Sequence, residues 1–235
     1  MYIPTPVSAI VGVGSSYNAN FGSMRNRGVE ALLRYRAFDT DNFKFSVFAN
    51  AAYNKNEITG LAGQDRIANG ASQSHVVGQM AYQWNMVPYI GVNQSNGNML
   101  FLDKDGNPTE NPTNDDRRLL GKNQLPTYSG GFGFNADYKG FFMDANFVFF
   151  ADVWRYDNNL DWYSDATTLA GYNVTTDLLN AWSIDNQNSS YPALNATNLG
   201  VDSSLSDRFL SDASYLRLRN VTLGYAFKKE KLQPL

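Results

Sequence analysis

One histidine, His75, and no cysteine leave this chain of 235 residues little material for nucleophilic or thiolate–metal chemistry. A Ser–His–Asp or Cys–His site would have to be built on His75. It stands in Ser72-Gln73-Ser74-His75, an expected loop, and reads as a solvated histidine. Asp103-Lys104-Asp105-Gly106-Asn107 has a calcium-loop outline. An EF-hand needs Gly at its sixth position and a bidentate acid at its twelfth. Gly106 is fourth and Asn114 is twelfth, so a β-turn is expected instead. Gly130-Gly131-Phe132-Gly133 lies inside a strand pattern with no helix after it, so it is no phosphate cradle. Glycines there admit close packing or bending. No acid/base pair stands out, so no enzyme, metal or cofactor is expected.

The set that could recognise a ligand is Asp152, Trp154, Arg155, Tyr156, Asp157, Asp161, Trp162, Tyr163 and Asp165. Aromatic faces beside carboxylates can hold a glycan or a peptide, which makes Trp154, Tyr156, Asp157, Trp162 and Tyr163 the ligand-binding candidates. The plainer alternative makes Trp154 an interfacial girdle residue followed by ordinary loop packing. Tyr82, Trp84 and Tyr89 are weighed in the same way.

Those residues must be positioned by strands. Residues 28–38, 43–54, 127–137 and 141–154 alternate apolar and polar side chains, the period of a strand with two unlike faces. Asp39-Thr40-Asp41-Asn42 and Tyr138-Lys139-Gly140 are short turns between them. Residues 212–227 read as one further long strand, in which Arg217 and Arg219 share a parity with Val221, Leu223, Tyr225 and Phe227. Either a bulge near Asn220 switches the faces or the first half lies above a membrane. Residues 7–13 are expected as a short strand within an otherwise looped 1–23. Residues 55–127 and 155–212 read as long, mostly irregular excursions, with Asn96-Gly97 as a hairpin signal.

The two short turns and two long excursions fall on opposite ends of about five strands, the asymmetry of an outer-membrane barrel. The expected fold class is all-β, a fragment of an antiparallel transmembrane β-barrel, because five strands cannot close one. Glu30, Arg34, Arg36 and Lys44 then line the pore, and the Phe-rich parity faces lipid. The formal charge of −3 offers no basic field for nucleic acid. No apolar run approaches the roughly 18 residues of a membrane helix, a test that barrels evade. No basic-then-apolar leader is visible at the start, so the chain is expected to be a piece of something larger.

Three stretches also carry a resemblance: "MRNRGVEALLRY…FKFSVFANAAYNKNEITGL", "DDRRLLGKNQLPTYSGGFGFNADYKGFFMDANFVFF" and "DRFLSDASYLRLRNVTLGYAF". In this order they resemble the C-terminal barrel portion of SusC/RagA-type TonB-linked outer-membrane proteins of the Bacteroidetes. The resemblance implies a 22-stranded barrel whose plug and closing strands lie outside this chain. It implies TonB-energised import of an oligosaccharide or peptide, and a SusD-like surface lipoprotein over loops 55–127 and 155–212. A passive porin or adhesin barrel shares the alternation, and a soluble β-rich carbohydrate-binding module would cover the Phe face with a second sheet.

Overall fold

The computed structural model describes residues 3–6, 16–19 and 22–227. β1 (Ile3–Pro6) and β2 (Ser16–Ala19) form a short antiparallel hairpin where a loop is expected. The strand expected over 7–13 lies outside the described residues. Two long strands follow, β3 (Gly22–Asp39) and β4 (Phe43–Leu61). Seven short ones come next: β5 (Arg66–Asn69), β6 (Gln73–Val76), β7 (Gln83–Met86), β8 (Tyr89–Val92), β9 (Met99–Leu102), β10 (Pro108–Thr109) and β11 (Arg118–Asn123). β12 (Tyr128–Tyr138) and β13 (Phe141–Ala151) are again long. The chain continues with β14 (Trp154–Tyr156), α1 (Asn158–Ser164), β15 (Leu210–Asp212) and β16 (Tyr215–Tyr225).

These elements divide into two compact units. A sheet unit takes residues 26–56, 125–153 and 213–227, and a loop unit takes most of the rest.

In the sheet unit the strand order is β16-β13-β12-β4-β3. β4 pairs with β12 over Phe43–Tyr53 although some seventy residues separate them, and β13 pairs with β16 across a similar gap. The excursions therefore leave and rejoin at one end of the sheet, and the tight turns close the other. The β12–β13 turn places Lys139 at φ 50° and Gly140 at φ 94°, the left-handed pair that matches strand twist in a two-residue hairpin. At the β3–β4 turn, the Thr40 amide donates to the Phe43 carbonyl at 2.9 Å.

Register aligns the two faces. On one, Phe45, Ala136, Met143 and Leu223 form a cross-strand row, as do Ala49, Phe132, Phe147 and Leu218. On the other, Ser46, Asn135, Asp144 and Thr222 form a polar row. β16 keeps this division through a bulge. Asn220 faces Asn146 and Leu218 faces Phe147, so Arg219 is the extra residue. That resolves the parity conflict: Leu216 and Leu218 share the apolar face with Val221, Leu223 and Tyr225. The strand is also shorter than expected, because Leu210–Asp212 pairs with β14 in the loop unit.

The apolar face is open within its unit. Leu223 is 72% exposed and Phe141 is 65% exposed, and the clusters of buried apolar side chains belong to the loop unit. Within the sheet unit no second sheet, which a soluble module requires, lies on it. Aromatic rings mark both ends of this face: Phe43 and Tyr138 (6.4 Å), with Phe141 and Tyr225 (4.6 Å), at the turn end, and Tyr53 and Tyr128 (5.4 Å) at the other. Ten residues separate Phe43 from Tyr53, about 33 Å along the strand and about 25 Å once tilted by 35–45°. That is the height of the apolar band between the aromatic girdles of an outer-membrane barrel. No helix among the described residues is long and apolar enough to cross a membrane, which leaves strand crossings untouched.

In the loop unit the excursions are more ordered than their sequence suggests. β11-β7-β6-β5 and β10-β9-β8 form two small sheets, and β14 pairs with β15. The hairpin signal at Asn96-Gly97 does join β8 to β9. Gly97 takes φ +79°, and a Cβ there would meet Trp182 and Ala193 at 2.6 Å. Asp103–Asn107 forms the expected turn between β9 and β10, with the Asn107 amide donating to the Asp103 carboxylate at 2.8 Å.

His75 corrects its sequence reading. It lies on β6, 3% exposed, edge-on to Tyr82 at 5.2 Å, because Ile67 of β5 pairs opposite it and β7 closes the other side. Burial lowers its pKa from the ordinary 6.5. Five polar residues of 72–76 and 83 hid a strand that only the sheet around it makes visible.

Candidate functional site

The five ligand candidates fall on β14 and α1 of the loop unit, and the structure separates them by environment. Trp154 is partly buried against Trp84, Met86 and Leu210, with the Lys122 ammonium 4.3 Å above its ring. Its carbonyl accepts from the Trp84 indole N–H at 3.2 Å. Trp154 is thus a packing residue of the loop unit rather than part of the aromatic rim on the sheet.

Tyr156 packs on the same cluster. Its hydroxyl donates to Asp161 at 3.0 Å and accepts from the Ser204 amide at 3.2 Å. Burial pushes this phenol's pKa up and also raises that of Asp161. The Asp161 carboxylate accepts a second bond, from the Ser203 hydroxyl, at 2.9 Å. Asp157 caps α1, accepting from the Asn159 and Leu160 amides at 3.1 and 2.9 Å. These three residues fix the geometry of the loop.

Trp162 and Tyr163, by contrast, are 51% and 49% exposed on α1. The structure adds Tyr172, which sequence reasoning missed. Its ring meets Trp162 edge-on at 5.5 Å and is 63% exposed. Only its aromatic type in a Gly-Asn setting could have suggested it. The exposed pair Trp162–Tyr172, with Tyr163 exposed on the same helix as Trp162, is able to stack on a sugar face or an apolar peptide side chain. Among the other aromatic candidates, Tyr89 is edge-on to Phe101 at 5.6 Å beside a buried core, while Tyr82 is 38% exposed over His75.

The loop carrying them is anchored by a buried ion pair. Arg208 donates to Asp202 at 2.7 Å, with the side chains 9% and 6% exposed. The Arg208 guanidinium also lies over the rings of Tyr89 (5.4 Å) and Phe209 (4.8 Å). Across the first excursion, Glu110 accepts from the side-chain amides of Asn93, Asn96 and Asn98 at 2.6, 2.9 and 2.7 Å. Those bonds hold its pKa below the usual carboxylate range.

The pore-lining candidates all sit on the sheet unit. Arg36 and Lys44 meet around a polar concavity of about 500 Å³ at the turn end, with Asp39, Asn135, Asp137 and Asp144. Arg36 is paired to Asp39 at 2.7 Å, and Asn135 donates to Asp144 at 2.5 Å. Glu30 and Arg34 share the parity of Arg36 farther along β3, exposed and outside the concavity. Among the described residues no group of three or more His, Cys, Asp or Glu is arranged to hold a metal.

A sheet with one apolar and one polar face, rimmed by aromatic rings, defines the class: a fragment of an antiparallel transmembrane β-barrel. Comparison with known proteins narrows it. No family model matches the sequence. The SusC TonB-dependent receptor of Bacteroides thetaiotaomicron is 30% identical over 94% of this chain, and TonB-dependent receptor P39 of Formosa agariphila is 26% identical over 94%. The solved RagAB peptide transporter matches the whole chain at a TM-score of 0.86 and 28% identity, and its open-open state at 0.85 and 27%. Sequence and fold together make this chain similar to part of a SusC/RagA-type TonB-dependent transporter. It spans about a quarter of the length of these relatives, 23% of SusC and 26% of the RagAB chain.

Proposed function

We propose that this chain is a barrel portion of an outer-membrane importer that takes up an oligosaccharide or peptide with energy from TonB. The observation that carries the reading is the five-stranded sheet with an uncovered apolar face, a polar face and long folded excursions at one end. On this reading the apolar face meets outer-membrane lipid, and Glu30, Arg34, Arg36 and Lys44 line the aqueous side. Segments 55–127 and 155–212 are extracellular, and a SusD-like surface lipoprotein seats on them. TonB acts through a plug outside this chain, and nucleic acid plays no part. Trp162, Tyr163 and Tyr172 contact the nutrient, while Trp154, Tyr156 and Asp157 hold the loop that presents them.

The test uses the full-length protein in outer-membrane vesicles or intact cells. Uptake of labelled oligosaccharides and peptides is measured with and without TonB, for the native protein and for Trp162→Ala with Tyr163→Ala. Import of one class that requires TonB and weakens about tenfold or more in the variant supports the reading. Uptake indifferent to TonB indicates a passive pore instead.

A further inference from the structure

On the apolar face of the sheet unit, at its turn end, lies a groove of about 620 Å³. Its floor is the cross-strand row Ala136, Met143 and Leu223, and its wall is the next row, Tyr138, Phe141 and Tyr225. Ala136 is small between larger neighbours, which makes the depression. The Phe141 and Tyr225 rings, 4.6 Å apart, close it on the turn side. The β12–β13 turn sets Lys139 at the rim, its ammonium 5.3 Å from the Tyr138 ring centroid. Asp137, the nearest acid in sequence, lies on the opposite face, paired in register with Lys44 and Phe142. Among the described residues Lys139 makes no ion pair.

We propose that this groove is a phospholipid site: one acyl chain lies along Ala136, Met143 and Leu223, and the lipid phosphate pairs with Lys139. Two features select this occupant. The groove is continuous with the apolar band that meets hydrocarbon, so a chain entering it never leaves an apolar medium. The cation stands at the girdle level, where a headgroup lies and where tyrosine rings present one apolar and one wet side. Volume alone places the groove in the range of small-molecule pockets, roughly 300–1,000 Å³. Ordinary lipid contact covers the whole band evenly; this row adds concavity and a fixed charge at one place. The site rests on the outer-membrane reading above.

The test places the full-length protein in phosphatidylethanolamine nanodiscs containing a little phosphatidylglycerol whose acyl chain carries a diazirine, and maps the photolabel by mass spectrometry. We expect label on 136–143 and 221–225 at about tenfold the level on Val29 and Leu33, which face the same way on β3. Ala136→Trp, which fills the floor, and Lys139→Gln, which removes the charge from an exposed turn, each return it to the β3 level. Equal labelling of all strands, or labelling unchanged by both variants, overturns the site while leaving the membrane reading intact. Labelling of none of the strands overturns the membrane reading itself.

Discussion

Phe147 of β13 lies opposite Leu218, not Arg219, while its neighbour Asn146 lies opposite Asn220. The single skipped residue lets two stretches of opposite parity turn their leucines and aromatics to one face. Deleting Arg219 removes only that extra residue and leaves Leu218 opposite Phe147, whereas inserting an alanine between Arg219 and Asn220, with a one-residue bulge retained, carries Leu216 and Leu218 to the polar side and Arg217 to the apolar side. We expect that insertion to cost about 2–4 kcal/mol in urea unfolding from lipid vesicles, and the deletion to cost about 1 kcal/mol or less. Arg219→Ala, which keeps the bulge, stays within about 0.5 kcal/mol of the native protein.

Gly224 lies beneath the Phe142 ring, and a Cβ there would come within 2.2 Å of it. Gly224→Ala is expected to destabilise the sheet by about 1–3 kcal/mol through overpacking. The double variant with Phe142→Ala recovers most of that loss, so a double-mutant cycle measured by unfolding reads a coupling of about 1 kcal/mol or more. Additive losses would show that the ring is not what Gly224 accommodates.

The Arg208–Asp202 pair is buried, so removing one partner strands the other. Asp202→Ala is expected to destabilise the loop unit by about 3–5 kcal/mol. Replacing both by apolar residues of similar size costs much less. Hydrogen exchange at the amides of 199–209 in the full-length protein distinguishes the two cases.

His75 gives the loop unit an acid-sensitive term. Its folded pKa lies below the ordinary 6.5, so the unfolded segment takes up a proton more readily. Stability from neutral His75 is therefore complete above about pH 6.5 and declines as pH falls through and below it. The exchange protection of 73–86, corrected for intrinsic rates, should fall between pH 7 and 5 in the native protein. In His75→Gln that part of the decline should be absent.

Much of the sheet could be read from the chain. The alternation at 43–54 and 127–137, the turn at Tyr138-Lys139-Gly140 and the expectation that Gly133 admits close packing or bending are local or period-two signals that neighbours reinforce. Gly133 indeed sits beneath the Phe48 ring, at 2.6 Å from a Cβ placed there. The strands of the excursions were not legible. Runs such as Gln73–Val76 and Gln83–Met86 are four residues long and polar, and become strands only because β5 and β7 flank the first and β6 and β11 flank the second, satisfying their backbone groups.

The ligand candidates show the same division. Composition alone marks Trp154 through Tyr163 as aromatic and acidic, but not which of them point to solvent. Packing decided that Trp154 and Tyr156 serve the core of the loop unit, and α1 left Trp162 exposed beside Tyr172 and Tyr163 exposed as well.

By itself the sequence determined that long strands carry unlike faces and where two tight turns fall, because side-chain alternation and turn preference act over a few residues. The tertiary structure alone decided the bulge at Arg219, the burial of His75 and the company each loop aromatic keeps. Those depend on which distant strand supplies the hydrogen bonds and the contacting surface, and no local pattern encodes that choice.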